Sequence, residues 1–179
     1  MKRSVGIGAK KIAIIAVMAA ILEVGKLALS FLPNIEVVTL FTAVFGYVFG
    51  ALAIPATCIF VVLEIELYGF GSWSIAYLIH WNVVCFVFWM AARKQIGNRI
   101  VLTLFALVLT FLFGVLTSLL EIGLFSGTYD DFGYRFLIYY SRGAVFYVIH
   151  IVCNAVLFPC AFKPLVKMLF KFKEKYFTT

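Results

Sequence analysis

The chain is 179 residues long, 65% apolar and 13% charged, with a formal net charge of +7. A soluble domain carries about 25% charged residues, so this composition, at a mean hydropathy of +1.10, excludes a water-solvated fold and points to a lipid bilayer. At roughly 20 apolar residues per crossing, the length has room for five or six spans in a single membrane domain over 1–179.

The first apolar run follows a basic start of Lys2, Arg3, Lys10 and Lys11, so a signal peptide is one alternative. The run passes Glu23 and Lys26 to Leu32 without a cleavage site, and it reads as a retained first span over 10–32. Next comes SFLPNIEVVTLF, where Pro33, Asn34 and Glu36 interrupt the apolar text. Pro33 and Asn34 are turn residues. Further spans are expected at 37–52, 53–69, 73–92, 100–124 and 142–162. The second and third are short and nearly continuous around Pro55, a residue tolerated in the first turn of a helix.

Basic residues set the orientation. Twelve of the 15 Lys and Arg residues fall in three groups: before span one, between spans four and five, and after span six. Six spans place all three groups on one side, which the positive-inside rule makes cytoplasmic; five spans would split the two ends. The expected fold is therefore all-α and multi-pass, with six transmembrane helices and both termini cytoplasmic. Lipid headgroups account for the net positive charge without nucleic acid. The acids behave differently. Glu36, Glu64, Glu66, Glu121, Asp130 and Asp131 all map to the outer half, as a polar pocket open to the outside would require.

Ionisable groups within spans are candidates for function. Glu23 and Lys26, three apart on span one, either neutralise each other or serve a site. Glu64 and Glu66 point in nearly opposite directions on a helix; Glu64 is expected inward and Glu66 toward headgroups. Glu121, near the outer end of span five, faces either the pocket or interfacial water. On span four, Trp73, Tyr77, His80 and Trp81 form one stripe, and on span six Tyr140, Gly143, Tyr147, His150 and Asn154 form another. Aromatic belts or helix–helix hydrogen bonds would explain parts of both. Facing aromatic stripes with outer carboxylates also suit a flat ring bearing an amine or a cation. The substrate-binding candidates are thus Asn34, Glu36, Glu64, Trp73, Tyr77, His80, Trp81, Glu121, Tyr140, Tyr147, His150 and Asn154.

Small residues make a third pattern. Ala9, Ala13, Ala16 and Ala20 recur on one face of span one, and Gly46 and Gly50 are four apart in span two. Such strips let another helix approach closely, within the chain or on a separate membrane protein. No phosphate-binding Gly-x-x-x-x-Gly-Lys-Ser/Thr, no His-Glu-x-x-His and no Gly-x-Ser-x-Gly occurs. Repeated halves of the kind many secondary transporters carry are also not evident. Cys58, Cys85, Cys153 and Cys160 lie singly in apolar runs and read as small buried hydrophobes. No catalytic residue, cofactor or metal is expected.

Taken in order, the Ala16/Ala20 strip in AVMAA, LPNIEVVTLF, ELYGFGSW, and YVIHIVCNAVLF leading to FKPL resemble the substrate-binding S components of bacterial energy-coupling factor (ECF) vitamin transporters. The resemblance covers essentially the whole chain. It implies a binding subunit that captures a small water-soluble vitamin or nucleobase-like heterocycle from outside. Such a subunit works with a transmembrane coupling subunit and two ABC-type ATPases. It implies that Ala13, Ala16 and Ala20 touch the coupling subunit, and that the ligand lies near the outer face. A cationic or amine-bearing heterocycle is favoured, such as a thiamine precursor or a deazaguanine. Two other readings compete. One is a stand-alone ion-coupled secondary transporter using Glu23, Lys26 or Glu64. The other is a small membrane enzyme with His150 and Glu121 as acid and base, for which no nucleophile or metal partner stands out.

Overall fold

The computed structural model describes residues 7–32 and 34–177. Lys2, Arg3 and Pro33, which carry part of the orientation and turn arguments, lie outside the described residues. Every regular element among them is helical: α1 (Ile7–Ala28), α2 (Val38–Phe49), α3 (Ala53–Tyr68), α4 (Ser72–Arg93), α5 (Arg99–Leu120), α6 (Phe132–Arg142), α7 (Ala144–Leu157) and α8 (Lys163–Phe177). A 3-10 turn, Gly50–Leu52, joins α2 to α3, and wide π turns extend α5 over Glu121–Phe125 and α7 over Phe158–Phe162.

Four helical stretches are long and apolar enough to cross a membrane: Val38–Tyr68, Ser72–Arg93, Arg99–Phe125 and Ala144–Phe177. The first of these is bent back on itself. Gly50 has φ 60°, a left-handed conformation that stops α2. Val38 and Thr39 at the start of α2 line the same cavity as Glu64 and Tyr68 at the end of α3, so the two helices run antiparallel. The continuous apolar text thus contains a hairpin. Together with α1, α4, α5 and α7 it makes six helices that alternate in direction.

At the end opposite the cavity, the first turn of α1 meets the last turn of α8. Lys10 Nζ donates to Tyr176 O at 2.9 Å, and Lys173 Nζ donates to Val48 O at 2.6 Å. Tyr47 OH donates to Ile96 O in the α4–α5 connection. The basic groups at 10–11, 93–99 and 163–175 therefore share one end of the molecule.

Helix α2 forms the centre, with ten of its 12 residues buried. Helix α4 lies along it, with Gly46 against the Cys85 backbone, where a Cβ would come within 3.0 Å of Cys85 Cα. The core continues through Met18, Leu22, Phe60, Val84, Phe88 and Phe158, all essentially inaccessible. The outward faces carry Ile12, Val24, Val62, Leu104, Val108, Val145 and Val156, as surfaces wetted by lipid rather than water would.

Two elements depart from the expected boundaries. Helix α1 ends at Ala28, four residues before Leu32, and the chain then turns. The expected span over 142–162 begins instead after a break at Gly143, which separates the amphipathic α6 from α7. Tyr140 therefore belongs to α6, packed against Tyr147 with ring centroids 5.1 Å apart.

Candidate functional site

Six helices and one connection enclose a cavity of about 360 Å³ at the end away from the basic groups. That volume is within the usual range for small-molecule sites, about 300–1,000 Å³. Each wall has a sequence reason. Helix α4 opens at Gly71, whose N–H donates to Ser74 Oγ at 3.1 Å, and the α4 stripe then turns its aromatic face inward. Trp73, Tyr77 and Trp81 form an edge-to-face ladder with centroids 5.3 and 5.5 Å apart. Phe113 from α5 closes it, 4.8 Å from His80 and 5.9 Å from Tyr77. Phe60 from α3 meets Trp81 at 6.4 Å.

The connection after α1 supplies Asn34 and Glu36. Asn34 has φ 63°, which asparagine tolerates better than most residues. Glu36 accepts from Thr39 N at 2.9 Å and from Thr39 Oγ1 at 2.6 Å. It therefore closes the first turn of α2, where unpaired N–H groups and the helix dipole favour a carboxylate. His150 from α7 places Nδ1 4.0 Å from Glu36 Oε1, and Phe146, one turn earlier, stacks on its ring at 4.2 Å.

The charged centre joins α1 to α3. Lys26 Nζ bonds Glu64 Oε2, and the ammonium also lies 4.8 Å from the Tyr68 ring centroid and 5.5 Å from that of Tyr77. Glu64 is fully buried, and its second oxygen, Oε1, has no hydrogen-bond partner; neither does the indole N–H of Trp81. Glu64 and Trp81 thus each bring to the cavity wall a buried polar atom without an internal partner.

Of the twelve sequence candidates, Asn34, Glu36, Glu64, Trp73, Tyr77, His80, Trp81 and His150 line this cavity. Four lie elsewhere. Glu121 begins the π turn after α5. Tyr140 sits on α6 against Phe136 and Phe111. Tyr147 is wedged against Gly114 and Gly143, where added Cβ atoms would clash with its ring, and its hydroxyl lies 3.3 Å from Thr117 Oγ1. Asn154 is fully buried and donates from Nδ2 to Thr110 Oγ1 at 3.0 Å, so it bonds a residue of the cavity wall from behind. The α7 stripe divides for a geometric reason. Its middle faces the cavity through His150, while Tyr147 and Asn154 pack on α5.

Glu23 and Lys26 do not bond each other. Lys26 reaches across to Glu64 on α3, and both carboxylate oxygens of Glu23 are buried without a partner. Glu66 is exposed, whereas its neighbour Glu64 is inside. Sequence reasoning missed Lys26 as a lining residue, and with it Tyr68, Phe113 and Phe146. Helical spacing held the signal for two of these: Tyr68 is one turn after Glu64, and Phe146 one turn before His150.

Ala13, Ala16 and Ala20 are all exposed along α1. Among the described residues, no three His, Cys, Asp or Glu side chains converge as a metal site would require, and the four cysteines are free. No family model, no curated protein and no solved structure matches this chain.

Proposed function

We propose that the chain is the substrate-binding subunit of an ECF-type importer. In this reading it sits in a bacterial plasma membrane with its basic end in the cytoplasm. It captures a small water-soluble vitamin or nucleobase-like heterocycle from outside. A transmembrane coupling subunit and two ABC-type ATPases then drive delivery. The observation that carries the reading is the cavity's position and lining: it lies at the end away from the basic groups, walled by aromatic rings around Lys26, Glu64 and Glu36. The exposed small-residue face of α1 supports a helix partner beside it. Mass spectrometry of the small molecules that accompany the purified protein tests the reading. A heterocycle retained stoichiometrically is the expected result; repeated purification without any bound or bindable small molecule would refute it.

Ala16→Trp is expected to abolish assembly with the coupling subunit and leave ligand affinity unchanged, as read by co-purification and by calorimetry. Ala16 is exposed, so the indole would protrude from α1. Loss of both properties would assign Ala16 to folding instead. His150→Ala is expected to weaken ligand binding by about 1–3 kcal/mol, the usual loss when a desolvated hydrogen bond is removed. Asn154→Ala, acting behind the wall, should lower the unfolding temperature first and affinity only secondarily. Equal affinity losses in the two variants would place Asn154 in direct contact with ligand.

One observation favours a second reading. Glu23 is buried with both carboxylate oxygens unpartnered, as a proton or cation carrier in an ion-coupled secondary transporter would be. Uptake by vesicles containing this chain alone, driven by an ion gradient and lost in Glu23→Gln, would establish it and displace the importer reading.

A further inference from the structure

We infer that the cavity receives a flat organic cation, and that the Lys26 ammonium is a tethered stand-in for that cation, displaced when the ligand enters. The inference rests on the reading that the cavity binds a small molecule, and it specifies the chemistry.

A carboxylate with two aromatic faces around one positive charge is the arrangement that recognises organic ammonium groups. Here the charge is supplied by the protein itself. Lys26 Nζ bonds Glu64 Oε2 and stands over the rings of Tyr68 and Tyr77. The parts of this cage differ in how firmly they are held. The Glu64 side chain is 1% exposed and that of Lys26 is 28% exposed. Glu64 is thus fixed inside, while Lys26 enters on a flexible four-carbon stem from the end of α1.

Glu64 also has unused capacity. Its Oε1 is buried without a partner. The lysine ammonium occupies one oxygen, whereas an amidinium or aminopyrimidinium edge presents two parallel N–H donors that match both. The other carboxylate of the cavity, Glu36, is already engaged by Thr39 at the start of α2, so Glu64 is the carboxylate left for a ligand.

Displaced Lys26 has a second partner within reach. Glu23 lies one turn earlier on the same helix, with both oxygens buried and unpartnered. Moving the ammonium from Glu64 to Glu23 while a ligand cation takes Glu64 leaves both carboxylates paired. An anionic ligand would have to separate Lys26 from Glu64 and leave a buried carboxylate unpaired, which is strongly unfavourable. A neutral ring would gain the aromatic walls but could not dislodge the lysine. The lysine is therefore a charge filter as well as a placeholder.

Three isosteric probes test this on the full-length protein in lipid nanodiscs: benzamidine (cation), benzamide (neutral) and benzoate (anion), with binding read by saturation-transfer NMR and calorimetry. Benzamidine alone is expected to bind the wild type. Lys26→Met should tighten it about tenfold or more, since a tethered competitor lowers apparent affinity by the fraction of time the site is free. Glu64→Gln should abolish binding. The double variant Lys26→Met/Glu64→Gln, neutral at both positions, should fold and bind none of the probes, with thermal unfolding as the check. If the single Lys26 variant does not fold, the wild-type ranking of the three probes decides. Preference for benzoate, or loss of binding in a folded Lys26→Met, would overturn the inference while leaving the cavity a ligand site. Binding of none of the three by the folded wild type would overturn it together with the binding role. Benzamidine binding combined with ion-driven uptake by vesicles containing this chain alone would leave the inference standing and refute only the importer reading.

Discussion

Trp81→Ala is expected to lower the free energy of unfolding by about 3–5 kcal/mol, the range for emptying a buried tryptophan site. Trp81 is only 5% exposed and ties its own helix to two others. Its ring lies 6.4 Å from Phe60 on α3, 5.5 Å from Tyr77 on α4 and 6.3 Å from Phe113 on α5. Removing it merges the space beneath the ring with the existing cavity, and the aromatic ladder of α4 loses its inner rung. Chemical unfolding in mild detergent would measure the loss; a change below about 1 kcal/mol would mean that the wall is loosely packed. Trp81→Phe separates volume from polarity. The indole N–H has no partner within the protein, so phenylalanine should recover most of the stability. If it binds ligand as weakly as the alanine variant, the N–H is a ligand contact.

The crossing of α2 and α4 is sensitive in the opposite sense, to added volume. Gly46→Ala is expected to cost about 1–3 kcal/mol, as small-to-large changes in packed interiors do, and Gly46→Leu to prevent recovery of monodisperse protein. A Cβ at Gly46 would meet the Cys85 main chain, not the tip of a mobile side chain, so the helices themselves must separate. Gly133→Ala on α6 is the control, because nothing lies within 4 Å of its added Cβ. Size-exclusion profiles and melting temperatures would read the series. Equal behaviour of the two alanine variants would show that the interface is not tightly packed.

Much of this architecture is written in hydropathy and charge. Apolar runs bounded by basic groups mark where helices begin and end, because a bilayer demands length and excludes Lys and Arg from its centre. The α4 stripe could be read because four polar or aromatic residues repeat at helical spacing on one uninterrupted helix. The α7 stripe was harder to read. Gly143 breaks the helix between Tyr140 and Tyr147, so a periodicity continuous in sequence is not continuous in space. Lys26 shows the other limit. Its near neighbour in sequence, Glu23, is the obvious partner, yet the packing of α1 on α3 brings Glu64 to the ammonium instead. Pairing between helices depends on rotation about each axis, and no single helix's sequence encodes that. Helices α6 and α8 escaped notice for a related reason. Their apolar residues are interleaved with polar ones, a pattern shared with loops near a membrane surface.

The central position of α2 has a consequence for how the chain is made. At 12 residues it is about 18 Å long, short of a roughly 30 Å hydrocarbon layer, and the helix that lies along it, α4, begins only at Ser72. Only with α3, across the turn at Gly50–Leu52, does α2 form a stretch long and apolar enough to cross a membrane. The Gly46 face of α2 has no cover until α4, which packs on it through Cys85, has been synthesised. Biogenesis then has an order that the finished molecule conceals: its innermost helix is made before the helix that covers it.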